Sequence, residues 1–239
     1  MRLLDRIRER VRARRDPRPP LHVLHLGKTG GTALKQALLD HGDRSRYRLL
    51  LHGHTVTLAD VPVGERFMFI VRDPLSRFVS GFHGRLREDR PRYHYPWKEE
   101  ERVAFGIFKT PEQLATALGS EDSVVRAEAE AAMRGIGHVN TSYWFWFGDE
   151  ETFRARAGDL FFIAFQDRLD EDFELLKRKL GLPRDARLPA DATTAHRTPS
   201  GYDATLSDVA RANLERWYER DLAFVELCRE LAPTVNAAA

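Results

Sequence analysis

A short apolar run that ends in a glycine-rich turn constrains the fold of this chain more than any other feature. The run LHVLHL, from Leu21 to Leu26, has the length and composition of a buried strand and stops at Gly27. The segment from Thr32 to His41 then has the pattern of a helix, so a strand–loop–helix unit surrounds GKTGGT. Backbone N–H groups of such a turn, together with the helix N-terminus, can close around an anion.

The residues within this turn favour a phosphate or sulfate group. Lys28 supplies a mobile positive charge, while Thr29 and Thr32 carry hydroxyl donors. The spacing differs from the nucleoside-triphosphate P-loop, since the position five before Gly27 is His22 and not glycine. A Gly-Gly pair alone also serves in ordinary tight turns, so the prediction depends on the neighbouring lysine and threonines.

Further apolar runs alternate with helical patterns along the chain. Strands are predicted at Tyr47–Leu51, Arg66–Val71 and Asp159–Phe165, and helices from Leu75 into the low eighties, at Glu112–Leu118, Ser123–Met133, Leu169–Leu180 and Ser207–Leu231. The pattern is weak from Arg85 to Thr110. Alternation of strands and helices predicts an α/β fold with a mainly parallel central sheet flanked by helices.

A second informative segment is RDPLSRFVS, which follows the strongest strand signal. Arg72 stands at the carboxyl end of that strand, where open α/β sheets bind their ligands. Ser76 and Ser80 are four residues apart and share a face of the next helix. Arg72 and Ser80 can therefore converge on a second anion. Asp73 and Arg77 are equally compatible with a helix-start charge and a surface partner.

Together, the two segments resemble the two cofactor signatures of the cytosolic and Golgi sulfotransferases, K-T-[GA]-[GS]-T after one strand and R-D-P-x-x-R-x-x-S after another. The resemblance is closest to the carbohydrate branch, which includes heparan sulfate 2-O-sulfotransferase. It implies a P-loop-like three-layer fold and 3′-phosphoadenylyl sulfate (PAPS) as the donor. It also implies adenosine 3′,5′-bisphosphate as the product, no metal, and a hydroxyl acceptor of carbohydrate or glycoside type.

The resemblance also implies roles for individual residues. The loop residues would hold the 5′-phosphosulfate; they are Lys28, Thr29, Gly30, Gly31 and Thr32. Arg72 and Ser80 would hold the 3′-phosphate, with Arg197 as a further phosphate contact. In the sequence HGH, His54 matches the catalytic base and His52 a supporting histidine, and a neutral imidazole suits that task near pH 7. Lys28 would also stabilise the leaving group.

Three alternatives follow from other function classes. A P-loop kinase needs the complete P-loop and a Mg²⁺-binding acidic residue, and a non-catalytic nucleotide-binding module would retain the loop without using His54. A membrane-surface adaptor would depend on the N-terminal residues 1–20. The aromatic runs Tyr93–Trp97 and Asn140–Phe147 are compatible with a platform for a sugar ring or with ordinary packing.

The remaining features limit the setting. Residues 1–20 form a basic, proline-ended leader in which Leu3, Leu4, Ile7 and Val11 have helical spacing. This leader predicts weak contact with an anionic membrane surface or a solvated arm, and residues 21–239 are predicted as one domain. The net charge of +2 does not favour nucleic-acid binding. Cys228 is the only cysteine, and a cytoplasmic location is expected.

Overall fold

The computed structural model of the chain describes residues 16–191 and 205–237. Within them, one sheet contains the strands β1 (Pro20–Val23), β2 (Arg48–Leu51), β3 (Arg66–Val71) and β4 (Leu160–Phe165). All neighbouring strands are parallel, in the order β2-β1-β3-β4. Five of the six β3 residues and all of β4 are buried, as expected of strands covered on both faces.

Helices connect and follow these strands. They are α1 (Gly31–His41), α2 (Pro74–Leu86), α3 (Glu99–Ile107), α4 (Pro111–Ala117), α5 (Ser123–Gly135), α6 (Trp144–Phe147), α7 (Glu150–Ala155), α8 (Leu169–Leu180), α9 (Asp208–Trp217) and α10 (Glu219–Ala237). Helix α1 crosses from β1 to β2, while α2 to α7 lie in the long connection from β3 to β4. This connection contributes most of the residues on one side of the site described below.

The alternation of side chains along β3 produces two apolar layers. Phe67 and Phe69 face a core cluster that includes Phe224 of α10, whereas Met68 and Ile70 face another cluster with residues of α1 and α8. A third cluster joins α2 to α4, α5 and α9 beside the sheet. The predicted α/β fold, a parallel sheet between helical layers, is confirmed.

Several predicted boundaries differ from the structure. The first strand ends at Val23 instead of Leu26, although the Leu24 N–H still donates to the Met68 carbonyl at 2.9 Å. The predicted final helix is divided at Tyr218, whose buried hydroxyl donates to the Val139 carbonyl at 2.9 Å. The predicted end of this helix is Leu231, but α10 continues through Pro233 to Ala237.

The weakly patterned segment from Arg85 to Thr110 contains a helix that the sequence analysis did not predict. Three acidic residues in its first turn favour the start of α3, but only Ala104, Phe105 and the charged Glu101 are buried along it. A helix with so few buried apolar positions has a weak periodic signal. No helix in the described parts of the chain is both long and apolar enough to cross a membrane.

Candidate active site

The turn between β1 and α1 is shaped by two glycines with different roles. Gly30 lies in the left-handed region at φ 90°, a conformation that favours glycine. At Gly31, an added Cβ would lie 2.4 Å from Cδ2 of His25, so the ring packs directly on the backbone. Among the described residues no side chain caps α1, which leaves its first N–H groups available to an anion.

The two loop threonines are placed differently. Thr29 is 1% exposed, and its hydroxyl donates to the Leu26 carbonyl at 3.0 Å. That hydroxyl therefore holds the turn together and does not point into the cavity beside the loop, so only the backbone of Thr29 is available to a ligand. Thr32 lines the cavity, together with Gly30 and Gly31.

Arg72 joins the end of β3 to this loop. Its Nη1 donates to the Lys28 carbonyl at 3.2 Å and its Nε to the Ser76 hydroxyl at 2.9 Å. Burial lowers the pKa of Arg72 from its ordinary value. Ser80, one helical turn beyond Ser76, also lines the cavity. The structure thus brings Arg72 and Ser80 to the same cavity as the loop.

Arg77 corrects an expectation from the sequence. It is not a surface partner but is 2% exposed, with Nε donating to the Gly27 carbonyl at 2.9 Å and Nη1 to the Thr141 carbonyl at 2.8 Å. Its guanidinium lies over the Tyr143 ring, 4.7 Å from the centroid. Arg77 therefore holds the glycine-rich loop in place through the Gly27 carbonyl. Asp73, by contrast, is the helix-start residue expected, since its carboxylate accepts from the Ser76 N–H at 2.8 Å.

His54 follows β2 and reaches the cavity with one ring nitrogen already engaged. Its Nδ1 lies 3.0 Å from the His25 carbonyl oxygen, and because a carbonyl only accepts, Nδ1 carries the hydrogen. This leaves Nε2 as the acceptor nitrogen of the neutral ring. Burial is the largest cause of the lowered pKa of His54, so the neutral form prevails near pH 7. Trp146 Nε1 donates to the His54 carbonyl at 2.8 Å and fixes the backbone.

His52 points away from the cavity. Its Nε2 lies 2.8 Å from Nδ1 of His22, and Nε2 of His22 lies 2.6 Å from the Glu65 carboxylate. The rings of His22 and His52 are stacked with centroids 5.0 Å apart. This chain of contacts holds the start of the HGH segment against β1. Any support that His52 gives to His54 therefore passes through the backbone of the segment.

Two further histidines and a lysine complete this side of the cavity. The ring centroids of His25 and His54 are 4.0 Å apart, and those of His54 and His138 are 6.0 Å apart. Burial lowers the pKa of His25 to about 2 and also lowers that of His138. Lys28 is largely buried, and burial lowers its pKa to about 8 against the opposing effect of Asp89.

On the opposite side of the cavity, a buried ion-pair network surrounds Arg85. Its Nε and Nη2 each donate to Glu101 at 2.6 Å, and Nη1 donates to Asp89 at 2.7 Å. Glu101 also accepts the Gly137 N–H at 3.0 Å. Burial works against the charged carboxylate, but these hydrogen bonds outweigh it and lower the pKa of Glu101. The network fastens residues 85–101 to the segment at Gly137.

The two walls enclose a cavity of about 1040 Å³. We call one the strand-end wall; its members follow β1, β2 or β3, namely Lys28, Gly30, Gly31, Thr32, His54, Arg72 and Ser80. The other comprises the lining residues between 85 and 101 with Gly137 and His138. We call it the helical wall because it lies in the connections between α2, α3 and the end of α5. Tyr93 and Tyr95 stack in this wall, with ring centroids 5.8 Å apart. A cavity of this size is at the upper end of the range for small-molecule and cofactor sites.

Comparison with known proteins identifies the family of the chain. Residues 12–224, most of the chain, match the model described as Sulfotransferase family. The chain belongs to the sulfotransferase family. A search of curated proteins finds no match. Family membership supports sulfuryl transfer in general as the chemistry of this chain.

Several cavity residues were not predicted from the sequence. His25 lies just before the glycine-rich loop but was assigned no role, and Arg85, Asp89 and His138 lie in segments where no motif was recognised. One available signal was Gly31, because a glycine beside an anion loop can also mark a close approach by a side chain. Of the residues that the sequence analysis did select, Arg197 lies outside the described residues and its role stays a prediction.

A metal site is not found in the part of the chain that the structure describes. No group of three or more His, Cys, Asp or Glu side chains there is arranged to hold an ion. Cys228 is buried against the aromatic core, and burial raises the pKa of its thiol. Its placement is that of a packed core residue.

Proposed function

We propose that this protein transfers the sulfuryl group of PAPS to a hydroxyl of a carbohydrate or glycoside, as in the carbohydrate branch of the family. The observation that carries the proposal is that three separate features of the sequence converge on one cavity. A glycine-rich anion loop, the Arg72–Ser80 pair and a neutral histidine line one cavity, although they follow three different strands. A kinase lacks such support here, since the spacing of the loop is not that of a P-loop.

The chemistry of the strand-end wall fits the donor. PAPS carries the transferable sulfuryl group on its 5′-phosphate and a separate 3′-phosphate. The uncapped N-terminus of α1 and the loop N–H groups suit the 5′-phosphosulfate. Arg72 and Ser80 suit the 3′-phosphate, since a guanidinium binds phosphate through paired N–H groups. Thr32 adds a hydroxyl donor beside the loop.

In the proposed reaction His54 accepts the proton of the acceptor hydroxyl at Nε2. The acceptor oxygen forms a bond to sulfur while the bond from sulfur to the phosphate oxygen breaks. Lys28 and the loop N–H groups stabilise the charge that develops on that leaving oxygen. The Nδ1–H of His54 stays bonded to the His25 carbonyl, which keeps the ring in the tautomer needed for proton transfer.

The acceptor is proposed from the helical wall. Tyr93 and Tyr95 are 39% and 57% exposed and present ring faces that suit stacking against a sugar. Lys98 of this wall and Lys35 of α1 add positive charge near the same opening. A cytoplasmic location and weak membrane contact through residues 1–20 remain part of the proposal and rest on the sequence alone.

The first test is ligand-induced thermal stabilisation. We expect adenosine 3′,5′-bisphosphate to raise Tm, whereas AMP and ATP with Mg²⁺ have a smaller effect. A ligand at about 100 times its Kd stabilises the folded state by about 2.7 kcal/mol. Arg72→Ala should remove most of the shift. Arg102→Ala, which removes an exposed arginine paired with Glu99, is the matched control. Selective stabilisation by ATP with Mg²⁺ would instead establish the kinase alternative.

A further inference from the structure

Asp89 has a carboxylate oxygen that the proposed reaction does not use. The residue is 4% exposed, and its Oδ2 accepts from Arg85 Nη1 at 2.7 Å. Its Oδ1 is buried without a hydrogen-bond partner among the described residues. An unsatisfied buried carboxylate oxygen opposes folding, so the groups that surround it need an explanation.

Two polar groups of the cavity flank this oxygen. Lys28 Nζ lies 4.0 Å from Oδ1, and His138 Nε2 lies 3.9 Å from it. Both distances exceed a hydrogen bond, but the charged Lys28 lies within the range of electrostatic attraction to the carboxylate. The ammonium of Lys28 is therefore directed across the loop toward the helical wall.

The backbone at these three residues adopts an uncommon conformation. Lys28, Asp89 and His138 have φ values of 66°, 61° and 65°, in the left-handed region that side chains with a Cβ rarely adopt. Within the described residues, Glu88 is the other non-glycine residue of this kind. Strained backbone of this sort concentrates at functional sites. Here it occurs in three separate segments that meet at one carboxylate oxygen.

Helix α2 leaves room for this meeting point. A Cβ added at Gly84 would lie 2.5 Å from Lys28 Nζ and 3.2 Å from Asp89 Oδ1. Glycine is unfavourable inside a helix, so its presence here points to the close approach of Lys28.

We propose that Asp89 is a positioning residue for Lys28, whose ammonium its unpaired carboxylate oxygen directs into the cavity beside His138. The inference rests on the proposed function, in which Lys28 stabilises the leaving oxygen. Asp89 is itself oriented by Arg85, which Glu101 holds in place. The helical wall thus determines where the principal cation of the strand-end wall points.

The charges around Lys28 give the proposal a measurable consequence. The charged and titratable groups that act on it are the cations Arg72, Arg85 and Arg87, the carboxylate Asp89, and the histidines His54 and His138. Asp89 is the one group among these that favours the protonated amine. Without its charge, burial and the three arginines favour the neutral amine, so the pKa of Lys28 falls further below its present value.

The test measures the reactivity of Lys28 directly. The wild-type protein and the Asp89→Asn variant are acetylated briefly with acetic anhydride across a pH series. Peptide mass spectrometry then compares the acetylation rate of Lys28 with that of Lys109 in the same sample. Only the neutral amine reacts. We expect Lys28 of Asp89→Asn to react several-fold faster near pH 7, with its labelling midpoint at lower pH. Equal Lys28 profiles in the two folded proteins would overturn the proposal.

Two further variants control for charge and for folding. Glu88→Gln removes the neighbouring carboxylate, which pairs with Arg90 and His94 outside the cavity, and should leave the Lys28 profile unchanged. A change equal to that of Asp89→Asn would reject a specific role for Asp89. Gly84→Ala keeps every charge and suits a helix, but its methyl displaces Nζ. It should also accelerate Lys28 labelling, and an unchanged rate would contradict the proposed position.

This experiment separates the inference from the proposed function, because labelling requires neither donor nor acceptor. If adenosine 3′,5′-bisphosphate fails to stabilise the protein, the proposed function fails while the labelling result stands. If the bisphosphate binds normally and labelling does not change, only the role of Asp89 is rejected. In turnover, Asp89→Asn should lower kcat and move the alkaline limb of the pH profile to lower pH, with acceptor KM unchanged.

Discussion

The strand-end wall and the helical wall of the cavity are built on different principles. Members of the first follow consecutive parallel strands, whose carboxyl ends meet at one edge of the sheet. Members of the second lie in a segment without strands and are held by Arg85, Glu101 and the Gly137 backbone. Disrupting the strand-end wall should therefore affect chemistry. Apart from Asp89, which acts on Lys28, disrupting the helical wall should affect stability or acceptor binding.

The largest expected effect is on catalysis, at His54 of the strand-end wall. We expect His54→Asn to lower kcat by about 10²- to 10⁴-fold, the usual contribution of a general base, with little change in Tm. Sulfate transfer from radiolabelled PAPS to a glycan panel measures this. The control is His41→Asn at the far end of α1. A loss of less than about tenfold would contradict the assignment of His54 as the base.

The pH dependence of the wild-type protein adds a second measurement on the same wall. In the proposed reaction His54 must be neutral and Lys28 charged. Because burial lowers the pKa of His54, kcat/KM should fall only below the ordinary histidine pKa of about 6.5. Lys28 must be charged, and kcat/KM should fall as pH rises through its pKa of about 8. A profile that still rises above pH 9 would contradict the role of Lys28.

The next effect is on stability, at Glu101 of the helical wall. Glu101→Gln replaces one of the two carboxylates paired with buried Arg85 by a neutral amide, while Asp89 remains as an ionic partner. Breaking a buried pair outright costs about 3–5 kcal/mol, so we expect a clear loss of stability that does not exceed this range. Urea unfolding measures the loss. Because the folded-state pKa of Glu101 is lowered, its contribution is present above the ordinary glutamate pKa and disappears as pH falls through the lowered value.

The control for Glu101 is its neighbour Glu99. Glu99 pairs with Arg102 on the exposed face of α3, and Glu99→Gln should leave the unfolding midpoint unchanged. If Glu101→Gln is also neutral, the ion-pair network does not hold the helical wall, and its positions must depend on the apolar packing of Phe105 and Trp97.

The difference between the strand-end wall and the helical wall also determined how much of each could be predicted from the sequence. β3 and α8 were predicted with their observed bounds, because a continuous apolar run and an amphipathic helix closed by Gly181 are local signals. Lys28 and Arg72 were predicted near one site because open α/β sheets bind ligands at the carboxyl ends of their strands, whereas His54 was assigned to that site through the resemblance to the sulfotransferases. By contrast, the contacts of Arg85 with Glu101 and of Asp89 with His138 join residues distant in sequence, which no periodic pattern reveals.

Arg77 shows where local reasoning failed within a recognised motif. The sequence was compatible with a surface partner at this position, but α2 is buried on nearly every side because α4, α5 and α9 cover it. The charge is tolerated because its Nε and Nη1 donate to backbone carbonyls and Tyr143 stacks beneath it. Tertiary contacts of this kind are fixed only once the other helices are in place.

The smallest expected effect concerns the acceptor, at the exposed rim of the helical wall. Tyr95 is 57% exposed and stacks with Tyr93, so its ring is available to a sugar without supporting the core. Aromatic contacts of this type contribute about 0.5–1.5 kcal/mol. We therefore expect Tyr95→Ala to raise acceptor KM by about fivefold and to leave the bisphosphate-induced Tm shift unchanged. Phe145→Ala, an equally exposed aromatic outside the cavity, should change neither. A weaker bisphosphate shift in Tyr95→Ala would mean that the donor, and not the acceptor, reaches this wall, and the two walls would then serve one ligand.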